Sequence, residues 1–300
     1  MSFPPTLKQL RYLVALHKSN HFGRAAEASH VTQSTLSAGI QELESLLGAQ
    51  LVERTKRSVM FTALGEEIVH RAQKILNDVD DLTDTAAAAK DPLKGTVRLG
   101  IIPTIAPYIL HKIMPAVQRE LPDLELQLRE DKSADLCDLL RRGDLDLVLY
   151  ALPFACGDAA EMPLFYDGFV AAYPKGEAPG KSITTKELDT DRLMLLEEGH
   201  CLRDHALDAC QLVGNKARRE LSGTSLPTIL QMVAAGRGTT LLPQMAVDAG
   251  LTKGIAVDIL PFNDINPART IGLIWRRTNP REQTFRALGN VIKNACTHAA

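Results

Sequence analysis

The feature that most constrains this chain is a repeated change of apolar period between residues 97 and 150. Val97, Leu99 and Ile101 alternate, while Ile109, Ile113 and Val117 recur every four residues. Leu124, Leu126 and Leu128 alternate again, Leu136 and Leu140 restore the spacing of four, and Leu147 to Tyr150 form a short apolar run. A period of two marks a strand and a period near 3.6 a helix, so the segment reads strand-helix-strand-helix-strand. That repetition predicts a parallel sheet with a ligand site near the carboxyl ends of its strands. Thr104 and Ser133 lie just past two of those ends, although a hydroxyl there can equally be a helix cap.

The pattern starts a third of the way into 300 residues, a length that calls for about two domains. What precedes it is helical. Leu7, Leu10, Leu13 and Val14 place one face of a helix between Thr6 and Lys18, and Ala25, Ala26 and Ala28 lie in a short helix over 23–29. After the turn at His30 and Val31, Thr32 is the expected N-cap of a third helix, whose Leu36, Ile40, Leu43 and Leu47 define a buried stripe. Thr32, Gln33, Ser34, Ser37, Ala38 and Gln41 then gather at the helix start and on the outward face. These are small or short polar residues able to approach base edges in a major groove. A solvated face on an ordinary three-helix bundle has the same spacing. Arg54, Lys56 and Arg57 before Val59-Met60-Phe61 read as a basic wing for phosphates. Residues 1–62 carry seven Lys/Arg against four Glu, a net +3 that leaves −5 for the rest; a basic head on an acidic body fits nucleic-acid binding.

From Thr62 the chain turns helical again, and Ile68, Ala72, Ile75, Val79 and Leu82 are spaced 4, 3, 4, 3, a strip able to pair with its twin. The longest charge-free run, 221–236, contains Ser222, Thr224, Ser225, Pro227 and Gln231 and is too short and polar for a membrane span. Met1-Ser2-Phe3-Pro4-Pro5 has no signal pattern, so a cytoplasmic, reducing compartment is expected. Five cysteines are too few for a disulfide scaffold, and a bonded pair in that compartment would be transient or sensing.

The residues Phe22-Gly23-Arg24-Ala25-Ala26-Glu27, Val31-Thr32-Gln33-Ser34-Thr35-Leu36-Ser37, Leu43-Glu44, Glu53-Arg54-Thr55 and Thr62-Ala63-Leu64-Gly65 together resemble the winged helix-turn-helix of LysR-type transcriptional regulators. The segment from Thr224-Ser225 through Met232 to Gly236 and on to Leu241-Leu242-Pro243 is similar to the second lobe of that family's effector domain. The resemblance implies an α/β fold class: an N-terminal all-α winged helix-turn-helix, a long linker helix, and a two-lobed α/β regulatory domain like a periplasmic binding protein. The expected boundaries are 1–62, 63–92 and 93–300, with lobe I as 93–166 and 269–300 and lobe II as 167–268.

The most informative stretch of the body is Glu198-Gly199-His200-Cys201-Leu202-Arg203-Asp204-His205, followed by Cys210. His200 and Arg203 beside Cys201 are cations able to favour its thiolate, and two cysteines nine positions apart could act as attacking and resolving thiols. Both could instead be buried small residues; a metal site of His200, Cys201, His205 and Cys210 matches no common zinc spacing. If the intervening segment is helical, the pair is separated by about 13.5 Å of helix, and a disulfide, which needs Cα atoms within roughly 7 Å, requires it to unwind.

This stretch resembles the peroxide-sensing OxyR branch of the LysR family, with Ile102-Pro103-Thr104 and Arg269-Thr270-Ile271-Gly272-Leu273 also matching. The resemblance implies that Cys201 is the peroxidatic thiol and Cys210 its resolving partner, with Thr104, Ser133, His200, Asp204 and Arg269 in the peroxide pocket. Ser133 stands where threonine is expected. Cys137, Cys156 and Cys296 have no partner at a family position and read as structural. The implied protein is a regulator of oxidative-stress genes and a one-step switch rather than an enzyme, with no cofactor and no metal. Its implied partners are double-stranded promoter DNA, RNA polymerase, hydrogen peroxide, thiol reductants and itself, as a dimer of dimers (homotetramer), and no membrane. A LysR-type regulator of a reversibly bound metabolite and a thiol peroxidase are the competing readings.

Overall fold

In the computed structural model the chain forms two compact units, residues 1–86 with 142–144 and the remainder; the structure describes residues 4–54, 59–88, 91–197, 199–209, 222–223 and 225–297. The first unit begins with α1 (Leu7–Ser19), where the Thr6 hydroxyl accepts from the Gln9 N–H and the Gln9 side chain accepts from the Thr6 N–H. This reciprocal pairing satisfies two backbone donors at the helix start. Then come α2 (Phe22–Ala28) and α3 (Gln33–Leu47), with Thr32 capping α3 by accepting from the Thr35 N–H at 3.2 Å. Leu10, Leu13, Val14, Ala25, Ala26, Leu36, Ile40 and Leu43 make the core. Leu7, Ala28 and Leu47, expected inside, are exposed; each sits in the terminal turn of its helix, where packing against neighbours runs out.

A two-stranded antiparallel hairpin, β1 (Val52–Arg54) and β2 (Val59–Phe61), follows. Its entry is fixed by Glu44, whose Oε1 accepts the Leu51 and Val52 N–H groups at 2.8 and 3.0 Å. Thr62 then accepts the Gly65 N–H at 2.9 Å at the start of α4 (Ala63–Ala88). A Cβ on Gly65 would lie 2.1 Å from the Leu51 carbonyl oxygen, so only glycine allows this approach. Along α4 the expected strip divides. Ala72 joins Val69 and Leu76 in the head core and Ile68 packs against it, whereas Ile75 and Leu82 are exposed. At about 100° per residue the five positions stay within about 80° of one another, and the covered face, centred on Val69, Ala72 and Leu76, lies to one side of that strip.

The second unit opens with β3 (Gly95–Ile101), α5 (Ala106–Glu120), β4 (Leu124–Glu130), α6 (Ser133–Arg142) and β5 (Leu147–Leu152). Both β4 and β5 pair with β3 in parallel. The long β6 (Ala159–Pro174) is followed by β7 (Leu193–Leu196), α7 (Cys201–Ala209), β8 (Ser222–Gly223), α8 (Leu226–Ala234), β9 (Thr239–Pro243), α9 (Gln244–Asp248), β10 (Val257–Leu260), β11 (Ala268–Arg276) and α10 (Glu282–Thr297). The strand order is β4-β3-β5-β11-β6-β9-β7-β8, with β10 on β6. The first half of β6 pairs antiparallel with β11 and its second half with β9 and β10. Thus β6 and β11 cross between two lobes, and the sheet is mixed rather than wholly parallel. Its inner strands β5, β7 and β9 are buried throughout, as strands covered on both faces must be. Gly272 sits at the register shift of β11, where a Cβ would lie 2.4 Å from Leu152 and 2.9 Å from the Met162 carbonyl.

Candidate thiol site and nucleic-acid face

The site forms where β3, β5, β6 and β11 meet the first residues of α6 and α7. Arg269, the second residue of β11, has a side chain with no exposure. Its Nε donates to Asp167 Oδ2 at 2.9 Å, its Nη1 to Thr104 Oγ1 at 3.0 Å and its Nη2 to the Thr104 carbonyl at 2.9 Å. Asp167 stands opposite Arg269 in the β6–β11 register and also accepts the Met245 N–H at 2.9 Å. Burial raises its carboxyl pKa, against the pull of Arg269 and the Met245 N–H. A buried guanidinium needs such a partner, yet Asp167 carries no local pattern that marks it in the sequence.

Cys201 is the first residue of α7 and is buried. Burial pushes its thiol up; the Ser133 hydroxyl, Arg269 and the Ala151 N–H pull it down, and Asp204 adds to the rise. The expectation that His200 and Arg203 favour the thiolate is therefore corrected. His200 has its own pKa lowered, by burial first and Lys132 second, so its charge is suppressed, and Arg203 donates to the Leu196 carbonyl at 3.4 Å. The cation that acts on the sulfur is Arg269, from a strand 68 positions downstream. Ser133, the first residue of α6, is buried with its hydroxyl facing the thiol and bonded to no other group, and His200 Nε2 has no hydrogen-bond partner among the described residues. Buried polar atoms are rarely left so.

Cys201, Asp204, His205 and Arg269 line a cleft of about 530 Å³ together with Leu152, Pro153 and Phe154. Thr104, Ser133 and His200 are buried and do not line that cleft. Cys210 lies outside the described residues, but α7 runs as helix from Cys201 to Ala209. Cys137 and Cys156, read as structural and without a partner at a family position, are joined to each other in a disulfide with Cα atoms 5.6 Å apart. Their sequence spacing carries no sign of it: a helix residue and a loop residue 19 positions apart meet only in the fold. Cys296 is free, half-buried and pushed up to about 11 by burial. Among the described residues no group of three His, Cys, Asp or Glu side chains is placed to hold a metal ion, and no helix is long and apolar enough to cross a membrane.

In the first unit, Gln33, Ser34, Ala38 and Gln41 are exposed and Ser37 is half-buried. Ser34 Oγ lies 2.9 Å from the Thr32 hydroxyl. Arg54 is on β1, and Lys56 and Arg57 fall outside the described residues.

Residues 7–66 match the bacterial regulatory helix-turn-helix protein, lysR family, and residues 90–297 match the LysR substrate binding domain. The chain is 42% identical over 299 residues to the HTH-type transcriptional regulator EstR of Acinetobacter baylyi, covering 98% of each. It is 38% identical over 289 residues to the DNA-binding transcriptional dual regulator OxyR of Escherichia coli, covering 96% of this chain and 94% of that one. Among solved structures, a full-length OxyR variant from Pseudomonas aeruginosa matches with TM-score 0.74 at 37% identity, over 97% of this chain and 98% of the other. A hydrogen-peroxide-bound OxyR variant from Corynebacterium glutamicum matches with TM-score 0.67 at 33% identity, over 100% and 95%. With both of its parts matched and relatives of this similarity along nearly its whole length, the chain belongs to the LysR family of transcriptional regulators, in the branch that holds OxyR.

Proposed function

We propose that this regulator senses hydrogen peroxide through Cys201 and transmits the oxidation to its DNA-binding head. The observation that carries the reading is a buried thiol at a helix N-terminus with Arg269 within electrostatic reach and the Ser133 hydroxyl, which no other group engages, facing it. A helix N-terminus and a cation both favour a thiolate, and the open polar atoms suit a small polar guest. The Cys201 thiolate takes one oxygen from peroxide as the O–O bond breaks. The other oxygen leaves as hydroxide and takes up the thiol proton to become water. Thr104 accepts from Arg269, which leaves its own O–H to donate to the departing oxygen, and Ser133, His200 and Asp204 complete the pocket. Attack by the Cys210 thiol on the sulfenic acid then expels water and forms the Cys201–Cys210 disulfide. Since α7 is helical from its first residue to Ala209, closing that bond requires the helix to unwind.

In the head, bounded at 62, Thr32, Gln33, Ser34, Ser37, Ala38 and Gln41 read bases and Arg54, Lys56 and Arg57 hold phosphates. The helix over 63–92 pairs two copies through Ile75 and Leu82, which are exposed, and two such dimers form the working tetramer. Ile75→Glu should shift sedimentation toward monomer. The regulator acts in the cytoplasm with RNA polymerase and is reset by cellular thiol reductants. A metabolite-responsive regulator remains the second reading, because the cleft of about 530 Å³ falls in the size range of small-ligand sites.

The test is promoter footprinting with and without stoichiometric peroxide, with thiols mapped by mass. Wild type should change its footprint as Cys201 and Cys210 become linked, and Cys201→Ser should respond to no peroxide dose. A Cys201→Ser protein that still responds overturns the assignment.

A further inference from the structure

The Cys137–Cys156 bond joins two elements that flank the sensing thiol: the helix that presents Ser133 and the loop that shares its cleft. Ser133 and Cys137 are four residues apart on α6, hence on the same face one turn apart. Cys201 and His205 bear the same relation on α7. The segment 153–157 spans the two helices. Its Pro153 carbonyl accepts from His205, its Phe154 carbonyl accepts from the Tyr150 hydroxyl at 3.3 Å, and its Cys156 is bonded to Cys137. Pro153, Phe154 and Ala155 also line the cleft that holds Cys201. One covalent bond thus ties the helix that presents Ser133 to the loop that walls the thiol. Both cysteines are buried, at 4 and 5% exposure, and Cys156 adjoins the cleft through Ala155.

We propose that Cys137 and Cys156 are a second redox pair, distinct from Cys201 and Cys210, whose closure holds the Ser133 hydroxyl at the Cys201 sulfur and so sets how fast Cys201 reacts. The proposal rests on the peroxide reading above. In closing, the two thiols lose two electrons and two protons to hydrogen peroxide: one sulfur takes an oxygen as the O–O bond breaks, releasing water, and the second sulfur displaces the remaining oxygen as a second water. A cellular dithiol reverses the step, forming its own disulfide as the Cys137–Cys156 bond opens. Bonded pairs in reducing compartments are characteristically transient or sensing. With the bond open, α6 and segment 153–157 are joined only by non-covalent packing, and the placement of Ser133 loosens.

The experiment uses the full-length protein in a Cys210→Ser background, so that Cys201 stops at sulfenic acid. Differential alkylation and peptide mass mapping read the 137–156 bond, and a sulfenic-acid trap reads the rate of Cys201 oxidation by peroxide. The bond should form on oxidation and open with a dithiol. Cys201 should react several-fold more slowly once it is open, since a loosened donor spends less time in the geometry that the reaction needs. Cys137→Ala with Cys156→Ala should match the opened protein, and the reversible opening provides the same comparison without any mutation. A Cys201 rate that is the same with the bond open and closed overturns the gate, as does a failure to find the 137–156 linkage after oxidation. If Cys201 is inert in the bonded protein, the peroxide reading falls and the gate with it, while the mass map still reports whether the pair forms.

Discussion

In the head, Leu36, Ile40 and Leu43 fall within two turns of one helix and Thr32 caps a residue three positions on. In the body, Arg269 reaches back 165 residues to Thr104 and 102 to Asp167. The first is held by the apolar stripe that also shapes it, so a change there acts locally. The second is held by a buried charge pair in place of an apolar stripe, and stability and function are drawn from the same side chains. The difference gives the two regions different failure modes, and substitution can separate them.

The largest effect belongs to Asp167→Ala, which leaves the fully buried Arg269 without its carboxylate and should cost about 3–5 kcal/mol. The single tryptophan, Trp275, is buried in the body, so its fluorescence follows unfolding of that unit and not of the head. The paired change Asp167→Leu with Arg269→Met should recover much of the loss, because apolar residues of similar volume often replace a buried ion pair without penalty. Cys201 in that double variant should still react poorly with peroxide. A double variant that is both stable and fully peroxide-responsive would show that Arg269 serves packing alone.

The same contrast explains what the sequence discloses. Strands β3 and β4 and helices α5 and α6 are legible because a covered face imposes a period on consecutive residues, and β5 because a strand covered on both faces is a short apolar run. Thr32 is legible as a cap because its partner is three residues away. Thr104 and Ser133 are singled out by the strand-helix pattern, just past two strand ends, but their role and the whole of Arg269 are reached only through resemblance, since no periodicity places β11 beside the turn after β3. Asp167 and the Cys137–Cys156 bond escape even that: each is a pairing between elements, and neither residue differs locally from a polar strand end or a buried small side chain. His200 misleads for the converse reason. Adjacent to Cys201 in sequence, it is stripped of its charge by the burial that sequence does not show.

A smaller effect, confined to the head, is expected for Gln41→Ala. A side chain reading a base edge contributes about 1–3 kcal/mol of discrimination, so the ratio of specific to random DNA binding should fall while the Trp275 unfolding transition stays in place. An unchanged ratio removes Gln41 from the base-reading face, and a shifted Trp275 transition breaks the independence of the two regions.

The smallest effect is a pH dependence of the body. Burial and Lys132 hold His200 below its ordinary value of 6.5, so between that value and the folded pKa the unfolded chain binds a proton that the folded chain does not. Stability should be fully present above about pH 6.5 and decline as pH falls through that window, by at most about 1.4 kcal/mol per pH unit from this group. His205, also lowered by burial, adds a decline of the same sign. Carboxylates held low by ion pairs, such as Glu197 with Lys132, lose their contribution only in more acidic solution, and the buried Asp167, whose pKa is raised, acts with the opposite sign, so the comparison of wild type with the histidine variants isolates the histidines. Denaturation followed by Trp275 fluorescence should show a shallower decline for His200→Gln than for wild type, with His205→Gln giving the companion value. Identical slopes in wild type and His200→Gln would mean that His200 accepts its proton in the folded body, and that the polar atoms around Cys201 include a cation after all.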